Sequence, residues 1–321
     1  MTLPAEVKLP RVSVLVPAKD EAENLPEFMR QASAAFASEP GKYEVVVVDD
    51  GSTDATAEVL AQLETEYPFL HSVRHRSQRG IADALRTGYV HSRGDVLVFY
   101  PADLQFRPED IPKLTEPILA GEVDMMTGRK EGEYDKAFVS GIYNGLSRRL
   151  FDVPVRDLNS VKAYRREVMA ALPVRPDWHR YMIVVAAHRG FTVAETPIPL
   201  YPRMAGRSKF GLSRIPVGVL DMLAVWFELR FARKPLLLFG MLGAFLFFIG
   251  VLTGVVAVLY RVIAGVGFRP LLTLVQVCLV LGSVFFATGL LAELMAAQRA
   301  EIAELRRRVE ELLVHETDSP R

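Results

Sequence analysis

Two segments combine carboxylates with turn-forming residues directly after runs of β-branched residues. They are residues 17–21, which read Pro-Ala-Lys-Asp-Glu, and residues 48–54, which read Val-Asp-Asp-Gly-Ser-Thr-Asp. A carboxylate at a strand end can accept the ring N–H of uracil or guanine, and a glycine there lets the chain turn sharply into the next helix. Ser52, Thr53 or Asp54 would equally make a good helix N-cap. The pattern therefore predicts either a nucleotide-binding turn or a well-capped one.

A third segment, residues 100–105, places Asp103 and Gln105 two residues apart after another predicted strand. Side chains at this spacing on an extended segment point the same way, so both can offer an oxygen to one hard divalent cation that bridges a diphosphate. The alternative is that Asp103 caps a helix beginning near Pro108. The pattern therefore predicts either a site for a divalent cation such as Mg²⁺ or Mn²⁺ or a capped helix.

A basic segment, residues 203–210, carries Arg203, Arg207 and Lys209 around a glycine and a serine. Such side chains can clamp phosphate oxygens and then release them. A basic stretch close to a membrane would have a similar composition, which is the alternative interpretation. The spacing favours phosphate binding.

The elements that position these segments follow from strand-helix alternation, which predicts an α/β domain with a mostly parallel sheet covered on both faces. Ligands of such sheets bind at the carboxyl ends of the strands, where the strand order reverses. The predicted strands are residues 12–16, 43–48, 70–74, 96–99 and 124–127, and the predicted helices are residues 23–36, 54–67, 81–91 and 109–119.

Two long uncharged runs follow this domain. No charged residue occurs at 235–260 or at 270–292, whereas a membrane-spanning helix needs only about 20 apolar residues. The alternative, a pair of buried core helices, conflicts with the length, because core helices rarely exceed roughly 18 uncharged residues. The sequence therefore predicts two transmembrane helices.

The regions that flank the spans have patterns of their own. Residues 211–234 place an apolar face beside several charges, which predicts an amphipathic helix in the membrane interface, with a core helix as the alternative. Residues 293–321 are highly charged and carry a short coiled-coil stripe that permits homo-oligomers. The stripe consists of Ile302, Leu305, Val309 and Leu312.

Charge and terminal sequence predict where the domain lies. Residues 1–10 lack the apolar core of a secretory signal. Residues 203–234 contain seven basic residues but only two acidic ones, an excess that is typical of the cytoplasmic side of a membrane. We expect residues 1–210 to be cytoplasmic and both termini to face the cytoplasm, because the hairpin at 261–269 is too short to hold a domain. The chain has 38 basic and 38 acidic residues and no basic, aromatic-interleaved stretch, which argues against nucleic acid as a partner.

The order of these segments resembles glycosyltransferase family 2, and in particular polyprenyl-phosphate sugar synthases of the dolichyl-phosphate mannose synthase kind. The resemblance runs from about residue 12 to the end of the first span. It implies a GT-A fold, often assembled as tetramers in the family. It also implies an enzyme of the cytoplasmic membrane that inverts the anomeric centre while moving a hexose from a nucleotide-sugar to a polyprenyl phosphate.

The resemblance implies roles for matched positions. Pro101 stands where the family's Asp-x-Asp-x-Gln motif has its first aspartate, so only Asp103 and Gln105 match the metal-binding half. The residues assigned to the nucleotide-sugar are Pro17, Lys19, Glu21, Asp50, Gly80, Asp103, Arg203 and Lys209.

The acceptor and the donor sugar are assigned to other segments. Arg129, Lys136 and Ser140 match the site for the lipid phosphate, with a lysine where an arginine is common. Asp157 matches an aspartate that approaches the donor sugar, in a segment that lacks the family's glycine and is one residue shorter. We take Asp103, Arg129 and Asp157 as the catalytic set.

A further match concerns residues 177–181, which resemble a helical Glu-x-His-Arg-Phe motif. His179 and Arg180 could bind beside a diphosphate, and a structural histidine is an equal alternative.

Two other functions compete with this one. A processive polysaccharide synthase would need several spans and a Gln-x-x-Arg-Trp motif, and the sequence has neither. A binding or scaffold protein with a degenerate site is motivated by Pro101 and by the altered segment at Asp157. Transfer from any nucleotide-sugar would count against it.

Overall fold

The structure is a computed structural model that describes residues 10–131, 145, 150, 151, 153, 155–172, 178–204, 215–231 and 234–317. The chain forms two compact units, Met1–Met222 and Leu223–Arg321. The first unit contains an α/β sheet with its helices, and the second contains two long helices.

Among the described residues the first unit has a seven-stranded sheet with the order β3-β2-β1-β4-β6-β5-β7. All neighbouring strands pair in parallel except β6, which runs antiparallel to both β4 and β5. The strands are β1 Val12–Ala18, β2 Tyr43–Asp49, β3 Leu70–Arg74, β4 Val96–Phe99, β5 Met125–Glu131, β6 Lys162–Arg165 and β7 Val193–Pro199.

The five predicted strands are confirmed, and the two others have weak sequence signals. β6 has only four residues and begins and ends with a charged one, so it shows no apolar alternation. β7 includes Pro197 and Pro199 and is only partly buried. β7 lies at an edge of the sheet, where prolines and polar residues are tolerated. β6 lies between β4 and β5, and it is too short to show a periodic pattern.

Helices α1 to α6 connect these strands. The predicted helices are confirmed, although three of them begin two residues later than expected, and a 3-10 turn at Pro108–Asp110 precedes α4. The helices are α1 Leu25–Phe36, α2 Thr56–Glu66, α3 Ile81–His91, α4 Ile111–Leu119, α5 Arg166–Ala171 and α6 Met182–His188. Apolar residues of β1 and β2 are buried on both faces of the sheet, as expected for central parallel strands.

A buried carboxylate holds together the amino ends of three strands. Glu44 accepts hydrogen bonds from Ser13 Oγ at 2.6 Å and from the backbone N–H and guanidinium of Arg93 at 2.6 and 2.9 Å. Burial raises the pKa of Glu44, but these hydrogen bonds outweigh that effect and leave the pKa below its ordinary value. The carboxyl ends of the same strands lie at the opposite edge of the sheet.

A helix, α7 Ile215–Phe231, follows within the region predicted as amphipathic. Tyr181 Oη donates to the carbonyl oxygen of Gly218 at 3.2 Å. Met222 and Val225 are buried, whereas Leu220 and Leu223 are exposed. Apolar side chains therefore lie on more than one side of α7, and its place in the membrane interface stays a prediction.

The second unit contains helices α8 Pro235–Ala264 and α9 Arg269–Thr317, which pack against each other. Both are long and apolar enough to cross a membrane, and each contains one of the predicted spans. Most of their large apolar side chains are exposed in this single chain, as lipid-facing residues would be. α9 continues without a break through the predicted tail, where Ile302 and Leu305 are exposed. Their role in oligomerisation stays a prediction.

Glycines bring α8 and α9 into backbone contact. A Cβ atom at Gly243 would lie 2.6 Å from the backbone nitrogen of Phe286 and 2.7 Å from the carbonyl oxygen of Gly282. A Cβ atom at Gly282 would lie 2.6 Å from the backbone nitrogen of Phe247. Because backbone cannot move aside as a side chain can, only glycine fits at this crossing, as in other helix pairs packed through small residues.

We expect Gly243→Ala to destabilise the helix pair by about 1–3 kcal/mol, since the added methyl group overpacks the crossing. The matched control is Gly254→Ala on the same helix, where a Cβ atom would meet nothing nearer than Val275 at 3.6 Å. Alanine is otherwise the better helix former, so the control should be neutral or stabilising. Thermal unfolding of the full-length protein in detergent would measure both, and equal melting temperatures would contradict the crossing described here.

Candidate active site

The candidate site lies along the carboxyl edge of the sheet. β2 and β3 lie on one side of β1, and β4 lies on the other, so the strand order reverses at β1. Ligands of such sheets bind where the order reverses, which makes the crevice between β1 and β4 the expected ligand site. In the registers of this sheet Ala18 pairs with Asp49, Leu15 pairs with Phe99, and Phe99 pairs with Lys162. Because β6 is antiparallel, its start lies at the same edge as the ends of the other strands.

The loop after β1 is bonded to the loop after β2. Lys19 Nζ donates to the carbonyl oxygen of Gly51 at 2.5 Å. Asp20 has a left-handed backbone with φ 55°, and its carboxylate accepts the backbone N–H of Thr53 at 2.8 Å. The backbone N–H of Glu21 donates to Thr56 Oγ1 at 3.0 Å. The structure therefore brings together the two segments predicted to bind the nucleotide.

The glycine of the second loop is needed for two reasons. Gly51 has φ 68°, which disfavours any residue with a side chain. A Cβ atom here would also lie 2.7 Å from the carbonyl carbon of Ser77 and 2.9 Å from the nitrogen of Gln78. The sharp turn predicted at this position is confirmed, and the loop after β3 lies directly against it.

Asp50 is held by that third loop. Its Oδ1 atom lies 2.8 Å from His75 Nδ1 and accepts the backbone N–H of Arg79 at 2.8 Å, and its Oδ2 atom accepts the N–H of Gly80 at 2.8 Å. Burial raises the pKa of Asp50, but these hydrogen bonds outweigh it, so the pKa lies below its ordinary value. Asp50 is therefore ionised near neutral pH. The structure joins the predicted residues Asp50 and Gly80 through direct contact.

His75 is a site residue that the sequence did not reveal. It is buried, and its Nε2 atom lies 2.9 Å from Thr87 Oγ1, so both ring nitrogens have partners. A lone histidine after a predicted strand carries no spacing signal of its own. Its contact with Asp50 depends on the pairing of β2 with β3, in which Asp49 and Arg74 are partners.

Asp103 and Gln105 converge on one cationic group. The Arg203 guanidinium lies 3.2 Å from Asp103 Oδ2, and its Nε atom donates to Gln105 Oε1 at 2.9 Å. Leu104, between the two, has a left-handed backbone with φ 56°. Burial raises the pKa of Asp103 above its ordinary value, and the charge of Arg203 opposes part of that shift. Three residues predicted to act on the diphosphate therefore meet.

The side-chain oxygens of Asp103 and Gln105 are of the kind that a divalent cation prefers, but there are few of them. Among the residues that the structure describes, no group of three or more His, Cys, Asp or Glu side chains could hold a metal ion. The donor set is one carboxylate and one amide oxygen, with Pro101 nearby in place of a further carboxylate. Both oxygens already point at a positive charge, so the pair fits a cation that completes its coordination with substrate oxygens and water.

Asp157 is buried just before β6. Its Oδ1 atom accepts the backbone N–H of Asn159 at 3.0 Å, and its Oδ2 atom lies 3.5 Å from Lys130 Nζ. Lys130 also donates to the carbonyl oxygen of Asn159 at 2.6 Å. Asp157 therefore lies at the carboxyl edge of the sheet with a cationic partner, Lys130, that sequence reasoning missed.

A second lysine is buried beneath this segment. Lys162 is 1% exposed, and its Nζ atom donates to the carbonyl oxygen of Ser160 at 2.6 Å. Burial lowers the pKa of Lys162 to about 7, with Asp157 opposing the shift and Lys130 adding to it. Burial likewise lowers the pKa of His179 to about 3, and its ring lies edge-on to Phe99. His179 is therefore neutral and packed, which favours its structural interpretation.

Arg129, which is predicted to bind the acceptor phosphate, contacts two glutamates. Its guanidinium lies 3.1 Å from Glu131 Oε1 and 3.5 Å from Glu195 Oε1. Lys136, Ser140 and Lys209 lie outside the described residues, so their predicted roles stay predictions.

Comparisons with known proteins place this site in a family. Residues 13–166 match the description Glycosyl transferase family 2. The chain is 31% identical over 296 residues to a dodecaprenyl-phosphate galacturonate synthase of Rhizobium johnstonii, and the match covers 89% of this chain and 87% of the relative. This chain belongs to glycosyltransferase family 2. The family 2 enzyme is also 28% identical over 316 residues to an undecaprenyl-phosphate 4-deoxy-4-formamido-L-arabinose transferase of Shewanella sediminis, with 95% and 93% covered.

Solved structures confirm the fold of this glycosyltransferase. A glucosyl-3-phosphoglycerate synthase from Mycobacterium tuberculosis, in complex with Mn²⁺, uridine diphosphate and glucosyl-3-phosphoglycerate, aligns with a TM-score of 0.55. The two chains are 20% identical, and the alignment covers 71% of this chain and 86% of the other. At this identity the likeness shows the GT-A fold and nothing finer.

The buried lysine predicts a distinctive pH dependence of stability. Between about pH 7 and pH 10 the unfolded chain keeps the proton on Lys162 while the folded chain has lost it, so stability rises with pH, by up to ~1.4 kcal/mol per unit. Below about pH 7 both states hold the proton and this contribution is constant. The free energy of unfolding of Lys162→Met should not show this increase with pH.

Thermal unfolding in detergent from pH 6.5 to 9.5 would measure the difference. Lys42→Met is the matched control, because burial is outweighed by pairing with the exposed Glu39, which raises the pKa of Lys42 and keeps its titration above the range. Parallel profiles for wild type and Lys162→Met would contradict the assignment.

Proposed function

We propose that this glycosyltransferase moves a sugar from a UDP-sugar to a polyprenyl phosphate at the cytoplasmic face of the inner membrane. One observation carries the proposal: a GT-A domain is followed in the same chain by two helices long and apolar enough to cross a bilayer. A polyprenyl tail stays in lipid while its phosphate lies at headgroup level, which gives such an anchor a purpose. The relatives described above are named for dodecaprenyl and undecaprenyl phosphate, which supports the same acceptor class.

The hydrogen bonds of Asp50 support uridine as the donor nucleoside. An ionised carboxylate has about four acceptor positions, and three of those on Asp50 are taken by His75 and by the N–H groups of Arg79 and Gly80. The position that remains is on Oδ2. Uracil offers one ring N–H, whereas guanine offers a ring N–H and an adjacent amino group that together need two. The single position suits uracil.

On this proposal, catalysis depends on the position of charged groups around the acceptor phosphate and the leaving diphosphate. A lipid monophosphate is largely ionised near neutral pH, since its second pKa is about 6, so its oxygen needs no strong general base. Asp103 and Gln105 would hold a divalent cation, which when bound neutralises charge on the leaving diphosphate. Arg203 supplies further positive charge beside the same two side chains.

The acceptor phosphate is assigned to Arg129, with Lys136 and Ser140. Glu131 and Glu195 pair with the Arg129 guanidinium and keep it oriented. A dianionic phosphate competes well for such a guanidinium because it can accept two parallel N–H bonds. Asp157 would lie near the donor sugar, where its negative charge would stabilise a positive, oxocarbenium-like centre. Attack from the face opposite the diphosphate inverts the anomeric configuration.

A donor panel tests the reaction. Full-length protein purified in detergent is incubated with undecaprenyl phosphate, Mn²⁺ and radiolabelled UDP- and GDP-sugars, and label that moves into the organic phase is counted. We expect transfer from a UDP-sugar and a fall of about 100-fold or more in Asp103→Ala, because charge stabilisation of this kind is worth that much. The control is Asp95→Ala, an exposed aspartate at the amino end of β4.

The outcomes separate the alternatives. Transfer only from GDP-sugars would refute the argument from Asp50 and leave the acceptor intact. No transfer from any donor, with nucleotide binding retained, would favour the degenerate-site alternative. The anomeric configuration of the product, read by NMR coupling constants, tests inversion.

Membrane orientation has its own test. The only cysteine of the chain, Cys278, is buried in α9. In intact cells we expect Gly267→Cys, in the turn between α8 and α9, to react with a membrane-impermeant maleimide from outside, because both termini are proposed to be cytoplasmic. Asp95→Cys should react only after lysis. The reverse pattern would place the catalytic domain outside.

A further inference from the structure

The Arg203 guanidinium lies where a catalytic cation is expected. It contacts Asp103 Oδ2 at 3.2 Å and Gln105 Oε1 at 2.9 Å, and these are the two oxygens proposed for a divalent metal. Oxygen ligands of Mg²⁺ or Mn²⁺ lie about 2.0–2.2 Å from the ion. A metal ion at this distance from both oxygens would lie close to the guanidinium, and the two positive charges would repel each other.

We propose that Arg203 and the divalent cation are alternative occupants of one site, so that Arg203 holds Asp103 and Gln105 until a cation replaces it. The displaced guanidinium then binds oxygens of the donor diphosphate that arrives with the cation. The inference rests on the proposed function for its ligand, a nucleoside diphosphate. The exchange itself depends only on the three side chains.

Burial gives the exchange an energetic reason. The side chain of Asp103 is only 13% exposed, and a buried carboxylate without a positive partner is costly. In the arrangement seen here Arg203 supplies that partner. Exchange of one positive group for another keeps Asp103 compensated, so the site need not pass through an uncompensated state.

The backbone next to Arg203 is anchored separately. The N–H of Tyr201 donates to the carbonyl oxygen of Gln105 at 2.9 Å, and the Arg107 guanidinium stacks on the Tyr201 ring at 3.9 Å. These contacts do not involve the side chain of Arg203. The guanidinium can therefore leave Asp103 while the chain two residues earlier keeps its place.

The proposal predicts that Arg203 weakens metal binding when no donor is present. Removal of a competing occupant raises the apparent affinity of the other, and coupling of this kind is about fivefold or more. Arg203→Met should therefore bind Mn²⁺ at least fivefold more tightly than wild type. Arg203→Lys should fall between the two, because an ammonium is a single point charge that cannot match a planar guanidinium on two oxygens.

Mn²⁺ affinity is measured on the full-length protein in detergent, without donor or acceptor, from the electron paramagnetic resonance signal of the free ion. Asp103→Asn identifies the site, since it should lose most of the binding. Arg189→Met, an exposed arginine after α6, is the control and should match wild type. The assay involves no transfer, so it can fail while the proposed function stands, and the reverse also holds.

A second titration adds UDP at saturating Mn²⁺. Here Arg203→Met should bind UDP at least fivefold more weakly than wild type, because the displaced guanidinium has no counterpart in the variant. Tighter Mn²⁺ binding together with weaker UDP binding supports the exchange. Unchanged or weaker Mn²⁺ binding in both Arg203 variants overturns it, as does the absence of Mn²⁺ binding from all variants.

Discussion

The antiparallel direction of β6 is the constraint on which the candidate site depends. Because β6 runs against its neighbours, its first residue, Lys162, pairs with Phe99 at the end of β4. The segment before β6, which contains Asp157, therefore lies at the same edge as the segment after β4, which contains Asp103. A parallel strand at this position would carry Asp157 to the opposite edge, where Glu44 ties the strands together. Chain direction thus decides which carboxylates can act on one ligand.

Three carboxylates of the candidate site are each held by a nitrogen partner from another part of the chain. Asp50 is held by His75, Asp103 by Arg203, and Asp157 by Lys130. The partners differ in what they allow. The bonds to Asp50 leave one acceptor position, which on the proposed function favours uracil, whereas the guanidinium on Asp103 occupies the position proposed for a cation. A similar carboxylate–nitrogen contact is thus proposed to favour one base at Asp50 and to compete with a cation at Asp103.

Local patterns predicted much of the fold, and contacts distant in sequence were beyond them. β1 to β5 and α1 to α4 follow from apolar periodicity. Asp50 contacts Gly80, and Asp103 and Gln105 both contact Arg203, as their predicted shared ligands require. β6 and β7 were missed because short, charged or proline-containing strands have no periodicity to detect. Arg203 was predicted to bind phosphate, but its contact with Gln105 joins residues 98 apart in the sequence. Lys162 gave no signal because burial of a lysine is a property of the assembled sheet.

The unbroken length of α9 sets a distance as well as an anchor. Its 49 residues have a contour length of about 74 Å, whereas the hydrocarbon core of a bilayer is about 30 Å thick. The turns after Glu293 therefore form a spacer that extends roughly 36 Å past the span. With residues 270–292 in the bilayer, the last turns of α9 lie in water, about one small domain's diameter away from the lipid headgroups.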